Sequence, residues 1–161
     1  MPNLRPHIAL TPAEQLAFLE SQYTLQVATN GPQGYPHMVA MWFAVIDGLV
    51  HFATRSKSQK IVNLRRDPKI TVMVESGRAY DALKGLVIQG TAELIDDTDA
   101  VCDIMMHVSP RYAGATGSSA AARAITREAL MVEAAKRTAI RVHPVNVFSW
   151  DHGKMAAAQA R

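Results

Sequence analysis

A short polar segment of this chain concentrates side chains that bind anions. Residues 54–60 read T-R-S-K-S-Q-K, which places three hydroxyl groups and three cations within seven residues. The segment follows a predicted strand and precedes a predicted helix, where free backbone N–H groups and the helix dipole attract negative charge. Hydroxyl and ammonium groups also donate charge-assisted hydrogen bonds to phosphate oxygens. The pattern predicts a phosphate-type anion site, and the open alternative is a solvated basic turn capped by Ser58.

The positive charge of the chain is concentrated in and just after this segment. The chain has 17 basic and 14 acidic residues, a formal net charge of +3. Residues 55–69 contain six of the basic residues and one acidic residue, so the rest of the chain is slightly acidic. A compact basic patch with few aromatic residues favours a small anionic ligand over an extended nucleic-acid backbone. We therefore expect no nucleic acid as a partner.

The other residues that could do chemistry form no known catalytic or metal-binding pattern. The six histidines lack a metal-ligand spacing such as H-E-x-x-H, and no serine lies in a G-x-S-x-G elbow. Cys102 is the single cysteine, and the chain has no glycine-rich nucleotide loop. We expect neither a metal nor a catalytic side chain. The protein would then rely on a bound cofactor for chemistry, or be a passive binder.

The elements that position the anion segment are mostly strands. Alternating apolar residues predict six of them, over residues 23–29, 35–46, 49–54, 69–75, 85–95 and 138–148. Asp47-Gly48 is typical of a two-residue hairpin, and Thr11, Pro12 and Glu14 predict a capped helix ending near residue 21. Further helices are expected before residues 67–68, from 96–99 toward 106 and over 119–136, with a small-residue connection at 113–122. The fold class is mostly β, an antiparallel barrel with peripheral helices.

Composition limits the class of protein. Hydrophobic residues make up 48% and charged residues 19% of the 161 residues, which excludes a disordered chain and suits one domain. That domain spans residues 1–161 and has a helical insertion at about residues 97–136. Residues 21–46 carry no charge, but the N-G-P-Q-G turn at residues 30–34 excludes a membrane helix. With one cysteine and no apolar signal core, we expect a cytoplasmic protein without a membrane partner.

Residues 58–68 read S-Q-K-I-V-N-L-R-R-D-P, directly after a strand that ends at Thr54. This pattern resembles the pyridoxamine 5′-phosphate oxidase-like family of split β-barrel proteins, which bind flavin or deazaflavin. The capped first helix, the Asp-Gly hairpin and the G-T-A-E-L strand at residues 90–94 agree with the resemblance. It implies a six-stranded antiparallel split β-barrel. It also implies a homodimer with two cofactor sites at the subunit interface.

The resemblance further implies which residues contact the cofactor. The phosphate-binding places fall on Thr54, Ser58 and Lys60, with Arg55 and Lys57 alongside, and Gln59 stands where many relatives carry arginine. The second strand would run beside the cofactor ring and offer it backbone groups at Met38, Val39, Ala40 and Met41. Trp150 would approach the ring from the partner chain. Lys60 is expected in an exposed loop, so its replacement should barely affect the stability of the fold.

Within this family the charge surplus favours coenzyme F-420 over FMN. The tail of F-420 carries a phosphate and several glutamates, which Arg55, Lys57, Arg65 and Arg66 could bind. We expect an oxidoreductase that transfers a hydride from F-420 to an unsaturated or planar small-molecule substrate. The C-terminal Arg-Leu-x-Pro ending of true pyridoxamine phosphate oxidases is absent, which argues against vitamin B6 oxidation. An FMN-dependent oxidoreductase and a non-catalytic flavin- or haem-binding protein remain open alternatives.

Overall fold

The chain folds around one curled antiparallel β-sheet. The computed structural model describes residues 5–115 and 126–155. Its strands are β1 (Thr24–Asn30), β2 (Pro36–Trp42), β3 (Ala44–Ile46), β4 (Leu49–Arg55), β5 (Lys69–Ser76), β6 (Lys84–Ile95) and β7 (Arg137–Asp151). They lie in the order β2-β1-β5-β6-β7-β4-β3, and every neighbouring pair is antiparallel. The expected mostly-β antiparallel fold is confirmed.

Five helices pack around this sheet in the described residues. They are α1 (Arg5–Ile8), α2 (Pro12–Ser21), α3 (Gln59–Arg66), α4 (Thr98–Ala115) and α5 (Arg127–Ala134). The predicted capping box of α2 is present, because the Thr11 hydroxyl accepts from the Glu14 N–H and the Glu14 carboxylate accepts from the Thr11 N–H. This box satisfies two backbone donors at the start of the helix. The predicted start of α2 is therefore confirmed.

The predicted long strand over residues 35–46 is two strands, which raises the count from six to seven. The break falls at Phe43, which is fully buried and donates its N–H to the Tyr112 hydroxyl at 2.9 Å instead of to a strand. β2 pairs with β1 and β3 pairs with β4, so the two halves lie at opposite edges of the sheet. At Phe43 the chain therefore passes from one edge of the curled sheet to the other, and we call this place the seam.

The helices after β6 differ in their bounds from the prediction. α4 continues past residue 106 to Ala115, through Pro110, into the segment expected to be a connection. α5 begins at Arg127, because Thr126 is extended and its hydroxyl accepts from the Ala129 N–H as an N-cap. Within the described residues the predicted helix over residues 119–136 covers Arg127–Ala134, so its predicted end lies two residues too far along the chain. Residues 116–125, which held the rest of that prediction, lie outside the described residues.

Two apolar clusters occupy the two faces of the sheet. The inner one fills the curl with residues such as Leu25, Phe52 and Val72. The outer one lies beneath α4 and α5 and includes Met105 and Val108. Successive side chains of β4 face opposite clusters, because side chains alternate along a strand. Phe52 packs in the inner cluster, and the next residue, Ala53, packs against the outer cluster. The anion segment follows directly from this strand.

Candidate functional site

Lys60 lies in the first turn of α3, because the helix begins at Gln59. It is 8% exposed, so the prediction of an exposed loop lysine is wrong. Ile61 and Leu64 of the same helix pack into the inner cluster and hold Lys60 close to the end of the curled sheet. Its Nζ donates to the Thr54 Oγ1 at 2.9 Å, and Thr54 is itself buried. Burial lowers the pKa of Lys60, because desolvation penalises the charged form.

Ser58 occupies the N-cap position of α3 but does not cap the helix. Its backbone is extended, and its side chain makes no capping hydrogen bond. The Ser58 Oγ is buried and has no hydrogen-bond partner among the described residues. The Ser58 cap of the alternative interpretation is therefore absent, although Arg55 and Lys57 of the same segment are exposed. A buried hydroxyl left in this state costs about 1–3 kcal/mol unless a ligand satisfies it.

Ser58 and Lys60 together fit the phosphate of a flavin or deazaflavin. The ammonium of Lys60 is buried beside a neutral partner, and a phosphate would supply the opposite charge. A phosphate oxygen would also accept a hydrogen bond from the Ser58 hydroxyl, which lies two residues before Lys60. Both groups lie where a strand ends and a helix begins, as expected from the sequence.

A chain of hydrogen bonds fixes the start of the anion segment. The Thr138 hydroxyl lies 2.6 Å from the Asp96 carboxylate and 3.1 Å from the Ser56 Oγ. Because the carboxylate takes the single proton of Thr138, Ser56 donates to Thr138. The hydrogen bond from Thr138 lowers the pKa of Asp96, and the ion pair with Arg65 lowers it further. The segment is thus tied to β7 and to the end of β6.

Gln59 and Asn63 form a second link inside α3. The Gln59 side chain donates to the Asn63 Oδ1 at 2.9 Å, and Asn63, fully buried, donates to the Thr29 hydroxyl at 3.0 Å. The amide of Gln59, which stands where many relatives carry arginine, therefore binds within its own helix. Gln59 is thus part of the anion segment, but its side-chain amide is bonded to Asn63.

The exposed cations of the segment line a small basic cavity with the residues before β7. This cavity, of about 400 Å³, is bordered by Arg55, Ser56, Lys57, Ala135 and Lys136. The Ser56 N–H donates to the Lys136 carbonyl at 3.1 Å, which holds the two chain segments together. The basic cavity therefore contains Arg55 and Lys57 as predicted, together with Lys136, which sequence reasoning missed.

Arg65 and Arg66 do not reach the basic cavity. Arg65 donates twice to Asp96, and Arg66 donates to the Asn30 carbonyl. Both guanidinium groups are thus bonded to other parts of the chain. This arrangement does not support the prediction that Arg65 and Arg66 bind the cofactor tail together with Arg55 and Lys57.

A second cavity lies at the seam, between β2, α4 and the start of β7. This seam cavity has a volume of about 390 Å³, and its lining residues are Ala40, Met41, Trp42, Ala53, Met105, Val108, Ser109 and Arg137. It therefore includes two of the four predicted β2 residues, whereas Met38 and Val39 lie further along the strand. β2 is the edge strand of the sheet and pairs only with β1 in the described part of the chain. Its outer backbone groups are available to a ligand.

Trp150 lies apart from the other predicted site residues. It sits near the end of β7, thirteen residues beyond Arg137, and its ring covers Gly85 of β6. A Cβ on Gly85 would come within 2.1 Å of the Trp150 ring, so this packing requires a glycine there. Trp150 therefore has a packing partner within its own chain. A cavity of about 760 Å³ borders Trp150 under α1, away from Lys60.

Arg137, at the border of the two cavities, was not predicted from the sequence. Arg137 pairs directly with Arg55 across β4 and β7, and it lines the seam cavity. The only sequence signal was the Lys136-Arg137 pair just before the last predicted strand. That signal has no meaning until the pairing of β7 with β4 is known.

Neither a metal centre nor a membrane helix is found in the described residues. Across residues 5–115 and 126–155, no three His, Cys, Asp or Glu side chains are grouped as a metal ion would need. No described helix has the length and apolar character to cross a membrane.

Residues 11–151 match the model of the family described as pyridoxamine 5′-phosphate oxidase. A conserved hypothetical protein of Mycobacterium tuberculosis is 36% identical, with a TM-score of 0.84 over 96% of this chain and 93% of that chain. An F-420 reductase is 22% identical, with a TM-score of 0.57 over 81% of this chain and 93% of that chain. A FAD-binding protein of Mesorhizobium loti is 18% identical, with a TM-score of 0.63 over 88% of this chain and 94% of that chain. No curated protein is similar enough to match.

The last two similarities concern the fold alone, because their sequence identities are low. The family match covers most of the chain, and the first relative is similar over nearly its whole length. The fold has the curled antiparallel sheet that the resemblance implied. The chain therefore belongs to the pyridoxamine 5′-phosphate oxidase family.

Proposed function

We propose that this protein is a cytoplasmic oxidoreductase that binds coenzyme F-420 and reduces an unsaturated or planar small molecule. The observation that carries the proposal is that a buried Lys60 ammonium with a neutral partner lies two residues from the buried, unpartnered Ser58 hydroxyl. Such a pair is suited to a phosphate group. Thr54 holds the Lys60 ammonium in place by accepting its hydrogen bond.

The cofactor ring would lie along β2 beside the seam cavity. Met38, Val39, Ala40 and Met41 would present backbone groups to its edge, since β2 has no partner on that side among the described strands. Ala53 of β4 lines the same cavity, and the following residue, Thr54, accepts the hydrogen bond from Lys60, so the proposed ring and phosphate positions both lie at the end of β4. In a homodimer, Trp150 would approach this ring from the partner chain.

The role of the chain in this proposal is to bind and orient. The bound deazaflavin would supply the hydride. The walls of the seam cavity would exclude water and hold the substrate plane against the ring. We assign no side chain as a general acid, so the proton would come from solvent.

The choice of F-420 over FMN rests on the basic cavity. Arg55, Lys57 and Lys136 exceed what one phosphate requires, and a glutamyl tail would use them. These cations are exposed, so each contact is worth about 0–1 kcal/mol and is screened by salt. FMN remains the alternative because the Lys60 and Ser58 pair would serve its phosphate equally well.

The test is to incubate the purified protein with FMN, F-420 and haem in turn, remove free ligand by desalting, and record spectra. We expect F-420 to be retained. The F-420 affinity should rise about tenfold from short to long tails at about 20 mM salt, and this rise should fade at about 500 mM salt. Tight FMN binding with tail-independent F-420 binding would support the FMN enzyme. Retention of haem alone would support a non-catalytic binder.

A further inference from the structure

Arg137 lines the seam cavity and has an incompletely bonded guanidinium. Its Nε is buried and has no hydrogen-bond partner in the described part of the chain. Its ion pair with Glu133 is long, at 3.4 Å, and Glu133 also lies 3.4 Å from the Lys136 Nζ. One carboxylate is thus shared loosely between two cations. The hydrogen-bonding capacity of Arg137 exceeds what the chain supplies.

The strand pairing adds a second reason to expect an anion at this point. Arg55 and Arg137 lie directly opposite each other on β4 and β7. Two like charges in a direct cross-strand pair destabilise a sheet. An anionic group bound beside Arg137 would offset this repulsion.

Apart from Arg137 and Ser109, the residues that line the seam cavity are apolar. Met41 and Trp42 form one wall, and Met105 and Val108 of α4 form the opposite wall. The Trp42 ring is held by stacking on Tyr112 at a centroid distance of 4.0 Å and an angle of 15°. A volume of about 390 Å³ lies at the small end for ligand cavities, so it suits one or two fused rings.

We propose that the seam cavity binds a planar, unsaturated substrate that carries a carboxylate, and that Arg137 selects the carboxylate. The guanidinium would bind the carboxylate oxygens with its planar donor edge, while the ring system packs between β2 and α4. The proposal rests on the proposed function in one respect, because that function places the cofactor ring next to the seam cavity. Ligand binding by the cavity itself can be measured without any cofactor.

The experiment uses 2-naphthoate and 2-naphthamide as probes, which have the same ring system and differ in charge. Calorimetric titration of the cofactor-free full chain should show naphthoate binding about tenfold or more tighter than naphthamide. Arg137→Gln should remove this preference, and Arg137→Lys should keep part of it. Glu133→Gln, the control, should retain it, because that change removes the ion pair and leaves the guanidinium.

A second pair of variants locates the binding to the cavity. Ser109→Trp should weaken both probes about tenfold or more, because Ser109 lines the cavity on α4. His107→Trp, on an exposed position of the same helix, should leave both affinities unchanged. Thermal midpoints of all variants report that they fold.

The outcomes separate this proposal from the proposed function. Naphthoate selection that depends on Arg137 supports the proposal even if neither F-420 nor FMN binds. A preference that survives Arg137→Gln, or probe binding that survives Ser109→Trp, overturns it. If Arg137→Gln weakens F-420 or FMN about tenfold and leaves the probe preference intact, the anion at Arg137 belongs to the cofactor and the proposal is wrong.

Discussion

At the scale of single residues, the buried polar side chains near α3 divide by whether the chain itself satisfies them. Asn63 is fully buried, and it donates to Thr29 and accepts from Gln59. The Lys60 ammonium is charged, but its partner, the Thr54 hydroxyl, is neutral, and the Ser58 Oγ has no partner among the described residues. Buried polar groups in native proteins are nearly always satisfied. The incomplete bonding of Ser58 and Lys60 therefore indicates the ligand site better than their burial alone.

Lys60→Met tests the phosphate contact. It should weaken F-420 or FMN binding about 10- to 150-fold, since a hydrogen bond to a charged group contributes about 1.5–3 kcal/mol. The stability of the ligand-free protein should stay the same or rise, because the variant removes a desolvated charge. Urea unfolding and cofactor titration measure the two effects. Lys69→Met, at an exposed lysine, serves as the control, and an unchanged affinity in Lys60→Met would mean that the phosphate lies elsewhere.

His51 is a buried residue whose protonation state is fixed by its neighbours. Its Nδ1 lies 2.9 Å from the Leu49 carbonyl and must carry a proton, while its Nε2 accepts from the Arg141 Nε at 2.9 Å. The ring is therefore neutral. Burial is the main cause of the lowered pKa of His51, and the Arg141 charge lowers it further, while the Leu49 carbonyl opposes both.

This lowered pKa predicts a loss of stability in weak acid. The unfolded chain takes up a proton on His51 near its ordinary pKa of about 6.5, whereas the folded chain resists it. The stabilisation from neutral His51 is therefore present above about pH 6.5 and is lost as the pH falls toward the folded pKa. Urea midpoints at about pH 7.5 and 5.5 should fall more in the wild type than in His51→Gln. His107→Gln should keep the wild-type fall, and an equal fall in His51→Gln would contradict the assignment.

At the scale of elements, helix α4 organises the seam where β2 passes into β3. The Tyr112 hydroxyl accepts from the Phe43 N–H and donates to the Tyr23 carbonyl. Burial raises the pKa of Tyr112, so the hydroxyl stays protonated as this bonding needs. The same helix supplies one wall of the seam cavity through Met105 and Val108. Helix α4 thus supplies the hydrogen-bond acceptor for the backbone N–H at the strand break and also one wall of the seam cavity.

Tyr112→Phe should lower the free energy of unfolding by about 1–3 kcal/mol, because it leaves the buried Phe43 N–H without its acceptor. Amide hydrogen exchange at Phe43 should speed up while exchange within β5 stays slow. Tyr23→Phe removes a hydroxyl from a half-exposed ring in the same aromatic group and should change stability by less than about 0.5 kcal/mol. Equal effects of the two changes would argue against this role for Tyr112.

At the scale of the whole molecule, the outer half of β7 is an unusually exposed apolar strand. Residues 143–148 are all exposed, including Val145 at 69% and Phe148 at 51%. β4 pairs with β7 only as far as Val142, and no other described strand pairs with residues 143–148 on that side. An exposed apolar edge of this kind is typical of an association surface. It supports the proposed homodimer.

The chain should therefore sediment at about twice its mass of 17.6 kDa at micromolar concentration. Phe148→Lys should shift it toward the monomer, because the change places a charge on the exposed apolar strand. Val132→Lys changes an exposed valine on α5 and should leave the dimer intact. A wild-type monomer that binds cofactor fully would exclude a cofactor site at the subunit interface.

The local sequence alone determined most of the strands, the α2 cap and the position of residues 54–60 between a strand and a helix. Strand alternation, capping and the Asp-Gly hairpin depend on residues a few positions apart, so they can be read along the chain. Residues 54–60 and the pattern after them were also sufficient to suggest the family. That family is confirmed by the match over residues 11–151.

Tertiary structure decided the features that depend on distant residues. The burial of Lys60 depends on how α3 packs on the sheet, and the strand break at Phe43 depends on Tyr112, 69 residues later. Arg137 lies opposite Arg55 and lines the seam cavity only because β7 pairs with β4. Arg65 and Arg66 do not line the basic cavity, because they bond to Asp96 and Asn30. The physical reason is that satisfaction of a buried polar group is set by its neighbours in space, which local patterns do not specify.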